Sequence, residues 1–221
     1  MELVYITILC KLIPKQLLIT MKEMIIMNIN DFEGIIKSIK KAQTKQRYNH
    51  TIGVAYTAAS LAMKYEISIE QAFLAGILHD CAKCISDQKL LEKCEQNNII
   101  ISEFERECPY LLHSKLGAFF AKSKYSVENQ DILNAILYHT TGKPNMSMLE
   151  KIIFVADYIE PSRFKASNLD KIRKISFENI DNAVFFILKE TIDYLTKTNS
   201  PIDPTSIETY DYYKKLTNED L

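Results

Sequence analysis

Six side chains carry most of the chemistry that can be read from this sequence: His50, His79, Asp80, His113, His139 and Asp157. His79 and Asp80 sit side by side after the apolar run Phe73 to Leu78, inside Leu74-Ala-Gly-Ile-Leu-His-Asp-Cys-Ala-Lys83. A histidine and a carboxylate at the end of an otherwise buried helix are costly to desolvate unless something binds them. Helical neighbours point about 100° apart, so the pair cannot stack on one ridge. It can grip a cation lying beside the helix while other helices supply the remaining ligands.

His50 lies in Arg47-Tyr-Asn-His-Thr51, His113 opens His113-Ser-Lys-Leu-Gly117, and His139 sits in Tyr138-His-Thr-Thr-Gly142. Asp157 is an acid embedded in Ile153-Phe-Val-Ala-Asp-Tyr-Ile-Glu-Pro161, where a carboxylate is rarely left unpaired. Taken singly, each has a bland reading. A histidine near a helix end is commonly a cap or a satisfied polar group, Asp157 could be a buried ion-pair partner, and a His-Asp dipeptide is weak evidence. The order His, His-Asp, His, His, Asp on successive helices carries more weight. This nitrogen and oxygen donor set suits iron, manganese, zinc or nickel rather than calcium. His50, His79, Asp80 and Asp157 come from three helices. Two further histidines would suffice for a second metal with Asp80 bridging, and two metals about 4 Å apart can clamp a phosphate.

The elements that must position these residues read as helix after helix. Asp31 can cap a short helix through Lys41, and apolar residues recur at helical spacing from Lys45 to Tyr65. Ser68-Ile-Glu-Gln71, Ser102-Glu-Phe-Glu105 and Ser147-Met-Leu-Glu150 are capping-box signatures, each predicting a helix start. Further helices are predicted from Ser86 or Asp87 to Asn97-Asn98, from His113 to Tyr125, and from an N-cap at Ser126 to Tyr138-His139. Pro109 and Pro161 stop helices, and Leu169 to Ile175, Phe177 to Lys197 and Thr205 to Leu216 complete the set. No segment alternates with a period of two between hairpin turns. The expected class is all-α.

Composition bounds the rest. With 221 residues, 47% apolar and 25% charged, the chain suits one soluble domain with a substantial core. A net charge of -1 gives no case for nucleic acid or an anionic membrane surface. The 5 cysteines (Cys10, Cys81, Cys84, Cys94 and Cys108) are odd in number and follow no secretory signal, so free thiols in a reducing cytoplasm are expected rather than a disulfide framework. Cys81-Ala-Lys-Cys84 is a lone C-x-x-C with no second pair to complete a structural zinc site. Residues 1–29 are apolar but broken by Lys11, Pro14, Lys15, Lys22 and Glu23, with runs far short of the roughly 20 residues a membrane span needs. We read them as a dispensable extension, with a later methionine as the true start.

The histidine and aspartate motifs, with their flanks, resemble the HD-domain phosphohydrolases, and among these the bacterial symmetrical diadenosine tetraphosphate hydrolases. The matching stretches are Arg47-Tyr-Asn-His-Thr51, Ala75-Gly-Ile-Leu-His-Asp-Cys-Ala-Lys83, Leu112-His-Ser-Lys-Leu-Gly-Ala118, Ala135-Ile-Leu-Tyr-His-Thr-Thr-Gly142 and Val155-Ala-Asp-Tyr-Ile-Glu-Pro-Ser-Arg163. Pro201-Ile-Asp-Pro204 and Thr209-Tyr210 extend the likeness, which covers about residues 30–217. The His-Asp motif alone would indicate only the superfamily; the combination is specific. Cys81 departs from the small or polar residue usual there and places a thiol beside the site without altering ligation.

The resemblance implies a single-domain HD helical bundle over 30–217 and a centre of two divalent ions. Iron is the leading choice, with manganese, cobalt, nickel and zinc as alternatives. It implies cleavage of diadenosine tetraphosphate at its midpoint into two ADP. Carried over residue by residue, the ligands would be His50, His79, Asp80, His113, His139 and Asp157, with His113 and His139 either completing the second metal or binding phosphate. Phosphate chemistry then calls for cations. Lys83, one turn past the His-Asp pair, is the first candidate and, with Asp80, the expected catalytic residue; Arg163 and Arg47 follow. Thr140, Thr141 and Gly142 could offer hydroxyl and backbone N–H groups, and Tyr158 a ring for a base or ribose. The bland alternatives are solvated surface charges and, for Tyr158, simple core packing.

The expected ligand is a small nucleotide, with ADP or GDP as product-like occupants. Neither nucleic acid nor membrane is an expected partner, and a homodimer is left open. Two other readings compete: a different HD activity, such as a nucleotidase or an alarmone or cyclic-dinucleotide phosphodiesterase, and a regulator that uses the metal only to hold a nucleotide. The flanks Tyr138-His-Thr-Thr-Gly142 and Ile159-Glu-Pro161 favour the tetraphosphatase over the first; the intact ligand set argues against the second.

Overall fold

A computed structural model of the chain describes residues 32–164, 166 and 168–217. The expected extension 1–29 lies outside the described residues. Among the described residues the regular structure is entirely helical. Residues 32–42 are helical, and ten α-helices follow from Lys45 onward. They are α1 (Lys45–Lys64), α2 (Ile69–Leu78), α3 (Asp87–Gln96), α4 (Glu103–Glu107), α5 (Leu112–Tyr125), α6 (Gln130–Tyr138), α7 (Met148–Ile159), α8 (Leu169–Glu178), α9 (Ile180–Lys197) and α10 (Pro204–Leu216), with a 3-10 turn, Pro109–Leu111, before α5. No described helix is long and apolar enough to cross a membrane.

Local chemistry sets the boundaries. The capping boxes at Ser102 and Ser147 are reciprocal, each serine accepting from the N3 backbone while the N3 glutamate accepts from the cap. At Ser68 the hydroxyl accepts from the Gln71 N–H. Two boundaries differ from expectation. Ser126 does not start α6; it ends α5 in the left-handed region at φ 55°, and the Val127 N–H closes onto the Ala121 carbonyl. Asn129 caps α6 instead, accepting from the Asp131 and Ile132 N–H groups. The break between α8 and α9 falls at Asn179, whose extended backbone and side-chain oxygen cap α9, so α8 runs to Glu178, three residues beyond the expected end at Ile175.

The core sits where α2 packs against α1, α6 and α7, while α1 and α7 also meet and α9 backs α7. The buried faces are supplied by Val54, Ala55, Ala58 and Leu61 of α1, Ala72, Ala75, Ile77 and Leu78 of α2, and Ile152, Ile153, Val155 and Ala156 of α7. At about 25 cal/mol per Å² of buried apolar surface, this packing dominates the stability. The α1–α2 seam is the closest approach. A Cβ on Gly76 would lie 2.7 Å from the Ala55 Cα, so only glycine lets α2 lie this tightly on α1. That contact holds His79, one turn further on, near His50. A second apolar cluster (Ala82, Leu90, Cys94, Leu112 and Leu116) fixes the turn after the His-Asp pair against α3 and α5.

Candidate metal centre

The six expected ligands converge from five segments. His50 comes from the first third of α1, His79 is the C-cap of α2, and Asp80 opens the following turn. His113 lies in the first turn of α5, His139 is the C-cap of α6, and Asp157 stands near the end of α7. Asp80 is 2% exposed and sits between two groups of imidazoles. Its Oδ2 lies 3.4 Å from His79 Nε2 and 3.9 Å from His50 Nε2. Its Oδ1 lies 3.4 Å from His113 Nε2 and 3.6 Å from His139 Nε2. Asp157 Oδ1 lies 2.9 Å from His50 Nε2 and 4.0 Å from His79 Nε2.

The ring orientations share one logic. His79 Nδ1 faces the Gly76 carbonyl at 2.6 Å, His113 Nδ1 the Tyr110 carbonyl at 2.5 Å, and His139 Nδ1 the Ile136 carbonyl at 2.7 Å. His50 Nδ1 faces the Glu160 carboxylate at 3.0 Å. Each acceptor requires an Nδ1–H, so in the neutral ring every Nε2 carries a lone pair, and all four point inward. Nε2 of His50 and His79 is buried and finds no hydrogen-bond partner among the described residues. The 2.9 Å approach of His50 to Asp157 is a close contact without hydrogen-bond alignment. Buried lone pairs aimed at carboxylate oxygens are expensive unless a cation lies among them. His50, His79 and Asp157, and likewise His79, Asp80 and His139, have ligand atoms within 4.8 Å of one another. The donor set therefore fits a divalent metal.

His113 and His139 differ in degree. Their Nε2 atoms are 3.2 Å apart, and the Thr140 hydroxyl lies 3.3 and 3.2 Å from them. The Lys83 ammonium sits 3.3 Å from His113 Nε2. This half of the site already has donors, which keeps both expected roles, metal or phosphate, chemically open.

The charges confirm a strongly perturbed site. Burial would raise the Asp80 carboxyl, but His79 and His139 overcome it and hold it well below the usual range. Asp157 follows the same pattern, with His50, His79 and Arg163 prevailing over burial. Burial opposes a charge on His50, yet Asp157 and Glu160 leave its pKa raised. Burial pushes Lys83 down from the ordinary lysine value. His113 is pushed down to about 3 by burial, with His139 and Lys83 adding to the effect.

This last shift gives a pH prediction for metal-free protein. The unfolded ring takes up its proton near the ordinary value of 6.5, whereas the folded ring resists until about 3. His113 therefore withdraws stability as pH falls through that window, by up to about 1.4 kcal/mol per pH unit. NMR of the metal-free protein should show the His113 ring neutral at pH 5; a ring titrating near 6.5 contradicts the burial argument.

The remaining expected contacts surround the centre. Arg47 reaches Asp80 Oδ2 at 2.7 Å, and Arg163 reaches Asp157 Oδ1 at 3.1 Å. Both guanidinium groups line a cleft of ≈ 400 Å³ with Thr44, His50, Glu160 and Phe164. Tyr158 is half-buried beside Arg163. Thr141 donates to the Gly142 carbonyl. Gly142 departs from expectation, because it is buried and its N–H already donates to the Tyr138 carbonyl, so that group serves the turn. Cys81 is partly buried, its thiol pushed up to about 12 by burial and by Asp80, and it is unreactive in that state.

Two residues near the centre carry no expectation from sequence. Gln43 donates to the Asp80 carbonyl at 3.0 Å and accepts from Thr51, fixing the backbone of the His-Asp turn. Glu160, the C-cap of α7, orients His50 across 110 positions of sequence. Its sequence signals, an acid at the end of an apolar helix three residues after Asp157 and a place in the matching stretch Val155 to Arg163, name no role for it.

Comparison with known proteins places this architecture. The HD domain family matches residues 47–162, from Arg47 through the segment carrying Asp157 and Glu160. A protein of Halalkalibacterium halodurans named bis(5'-nucleosyl)-tetraphosphatase, symmetrical, is 40% identical over 79% of this chain and 92% of its own length. A protein of the same name from Bacillus subtilis is 34% identical over 81% of this chain and 96% of its own. A crystal structure from Clostridium acetobutylicum, described as a predicted HD superfamily hydrolase involved in NAD metabolism, superposes with a TM-score of 0.81 at 35% identity, covering 84% of this chain and 97% of that one. By the extent of these matches, the chain belongs to the HD-domain family.

Proposed function

We propose that this protein is a metal-dependent hydrolase that cleaves diadenosine tetraphosphate symmetrically into two ADP. The observation that carries this reading is the convergence of four lone-pair-bearing Nε2 atoms on Asp80 and Asp157. It occurs in a chain whose relatives at 40% and 34% identity are named symmetrical bis(5'-nucleosyl)-tetraphosphatases. His50, His79 and Asp157 would hold one divalent ion, His113 and His139 a second, and Asp80 would serve both, with iron the first choice and manganese, cobalt, nickel or zinc as substitutes. Bound there, such ions supply Lewis acidity at a phosphoryl oxygen and a nucleophilic water at neutral pH.

The chain's own residues do the rest. Asp80 and Asp157 stay ionised through the physiological range, since both carboxyls are held low. Arg47 and Arg163 now neutralise these two carboxylates, yet their side chains are 31% and 41% exposed on the cleft. Were divalent ions to take over the carboxylates, both arginines would be free to grip phosphate oxygens through paired N–H groups. Lys83 and Thr140, beside His113 and His139, would meet the other half of the polyphosphate. The cleft has room for one nucleoside, and Tyr158, beside Arg163, would offer its ring to the base or ribose. Because the two halves of the substrate are identical, cleavage at the midpoint requires only that one ADP unit fill the cleft. ADP or GDP would occupy the same place as product-like ligands. Free Cys81, Cys84, Cys94 and Cys108 support a cytoplasmic location.

The test is substrate competition on manganese- or iron-loaded protein. Diadenosine tetraphosphate should be turned over with kcat/KM at least about 10²-fold above that of a cyclic dinucleotide or a nucleoside monophosphate, a gap of about 2.7 kcal/mol. The reverse preference would assign a different HD activity. We also place the catalytic unit in residues 30–217. Protein lacking residues 1–26 should retain full activity in the same assay; insolubility or inactivity would make the extension part of the working unit.

A further inference from the structure

Among the four imidazoles, His50 is the exception. His79, His113 and His139 are each oriented by the carbonyl three residues earlier, an acceptor supplied by their own chain turn. His50 lies well inside α1, where its own helix consumes the backbone carbonyls, so its Nδ1–H needs an acceptor from elsewhere. Glu160 provides it at 3.0 Å.

Glu160 is built into place. It is 1% exposed, and its Oε1 accepts the Ser162 hydroxyl at 2.6 Å while Oε2 accepts the Ser162 N–H at 2.7 Å. Arg173 fixes the backbone around it through the Ile159, Glu160 and Arg163 carbonyls. Space is reserved on the facing helix, where a Cβ at Gly53 would stand 2.5 Å from Glu160 Oε2. A buried carboxylate is costly, and here it makes no ion pair with lysine or arginine among the described residues. What it does is hold one imidazole.

We propose that Glu160 is a positioning residue that fixes His50 as the Nε2-presenting tautomer and strengthens it as a metal donor, with Gly53 keeping the carboxylate in reach. The proposal rests on the metal-centre reading above. A carboxylate accepting from a ligating imidazole fixes ring orientation and raises donor basicity, and removing it typically costs about 10- to 100-fold in metal affinity. The other three histidines cannot be weakened this way by a side-chain change, because backbone carbonyls hold them. His50 is thus the ligand whose strength the sequence can tune.

The experiment measures Mn²⁺ affinity by chelator competition, and the His50 tautomer by ¹⁵N NMR of the metal-free protein, in wild type, Glu160→Gln, Glu160→Ala, Gly53→Ala and the Gly53→Ala/Glu160→Ala double variant. Expected are a fivefold or greater loss of affinity in Glu160→Gln, with helical content unchanged, and a loss of the single Nδ1–H tautomer of His50 in Glu160→Ala. Gly53→Ala should weaken Mn²⁺ binding in the wild-type background and have no further effect in Glu160→Ala, where its clash is gone. Affinity in Glu160→Gln within fivefold of wild type, or additive losses in the double variant, would overturn the proposal. Wild-type protein that binds no Mn²⁺ would instead overturn the metal-centre reading, which the His50 tautomer in metal-free protein does not depend on.

Discussion

Replacing Asp80 with Ala should abolish activity and metal retention together while the protein stays helical. The expected fall in kcat/KM is at least about 10³-fold, equivalent to some 4 kcal/mol of lost transition-state stabilisation. The size follows from geometry. Among the described residues Asp80 is the one group whose two oxygens face both pairs of imidazoles, at 3.4 and 3.9 Å on one side and 3.4 and 3.6 Å on the other. Its loss damages both halves of the centre, whereas loss of Asp157 touches only the His50 and His79 half. The fold should survive for two reasons. The turn is held through the Asp80 backbone carbonyl by Gln43, and the orphaned Arg47 is partly exposed to water. Asp80→Asn keeps the shape and removes the charge, and should show the same loss. Circular dichroism, metal content and turnover measured on one preparation check this; an active, metal-bearing Asp80→Ala protein would refute the assigned centre.

Stripping the metal should produce the second large effect, an inactive protein of lower thermal stability that recovers both properties on adding Mn²⁺ or Fe²⁺. Buried Nε2 lone pairs of His50 and His79 face carboxylate oxygens without a hydrogen bond, so the metal-free folded state carries unfavourable electrostatics that a cation relieves. A ligand that binds only the folded state stabilises it by about 2.7 kcal/mol at 100 times its dissociation constant and about 4.1 kcal/mol at 1,000 times. Calorimetry at fixed pH across a metal titration would register the gain. A melting temperature that ignores the metal would mean the cluster is satisfied without it.

Much of this was legible in the sequence, for identifiable reasons. Helical periodicity, Ser102 and Ser147 announced their elements because capping chemistry is local. Ser126 misled for the same reason. A serine beside Val127 reads as an N-cap, but the chain uses it to close α5 in a left-handed turn and gives the cap to Asn129. The six side chains that converge were visible because histidine and aspartate are conspicuous in apolar helices. Their supports were not. Gln43 and Glu160 act on groups 37 and 110 positions away, and nothing in their own neighbourhoods marks them as partners. The cations were found by type, but their present pairing, Arg47 on Asp80 and Arg163 on Asp157, depends on how α1, α2 and α7 pack. Gly142, expected to present its N–H, spends that N–H on its own turn.

A divalent metal held by these histidines and aspartates would cut a dinucleoside tetraphosphate in the middle. The most direct test is product analysis. Protein purified anaerobically, with its metal content determined, is given diadenosine tetraphosphate and the nucleotides are separated during the first turnovers. The arrangement described here requires ADP as the only nucleotide product, two per substrate consumed; AMP and ATP appearing in equal amounts would contradict it.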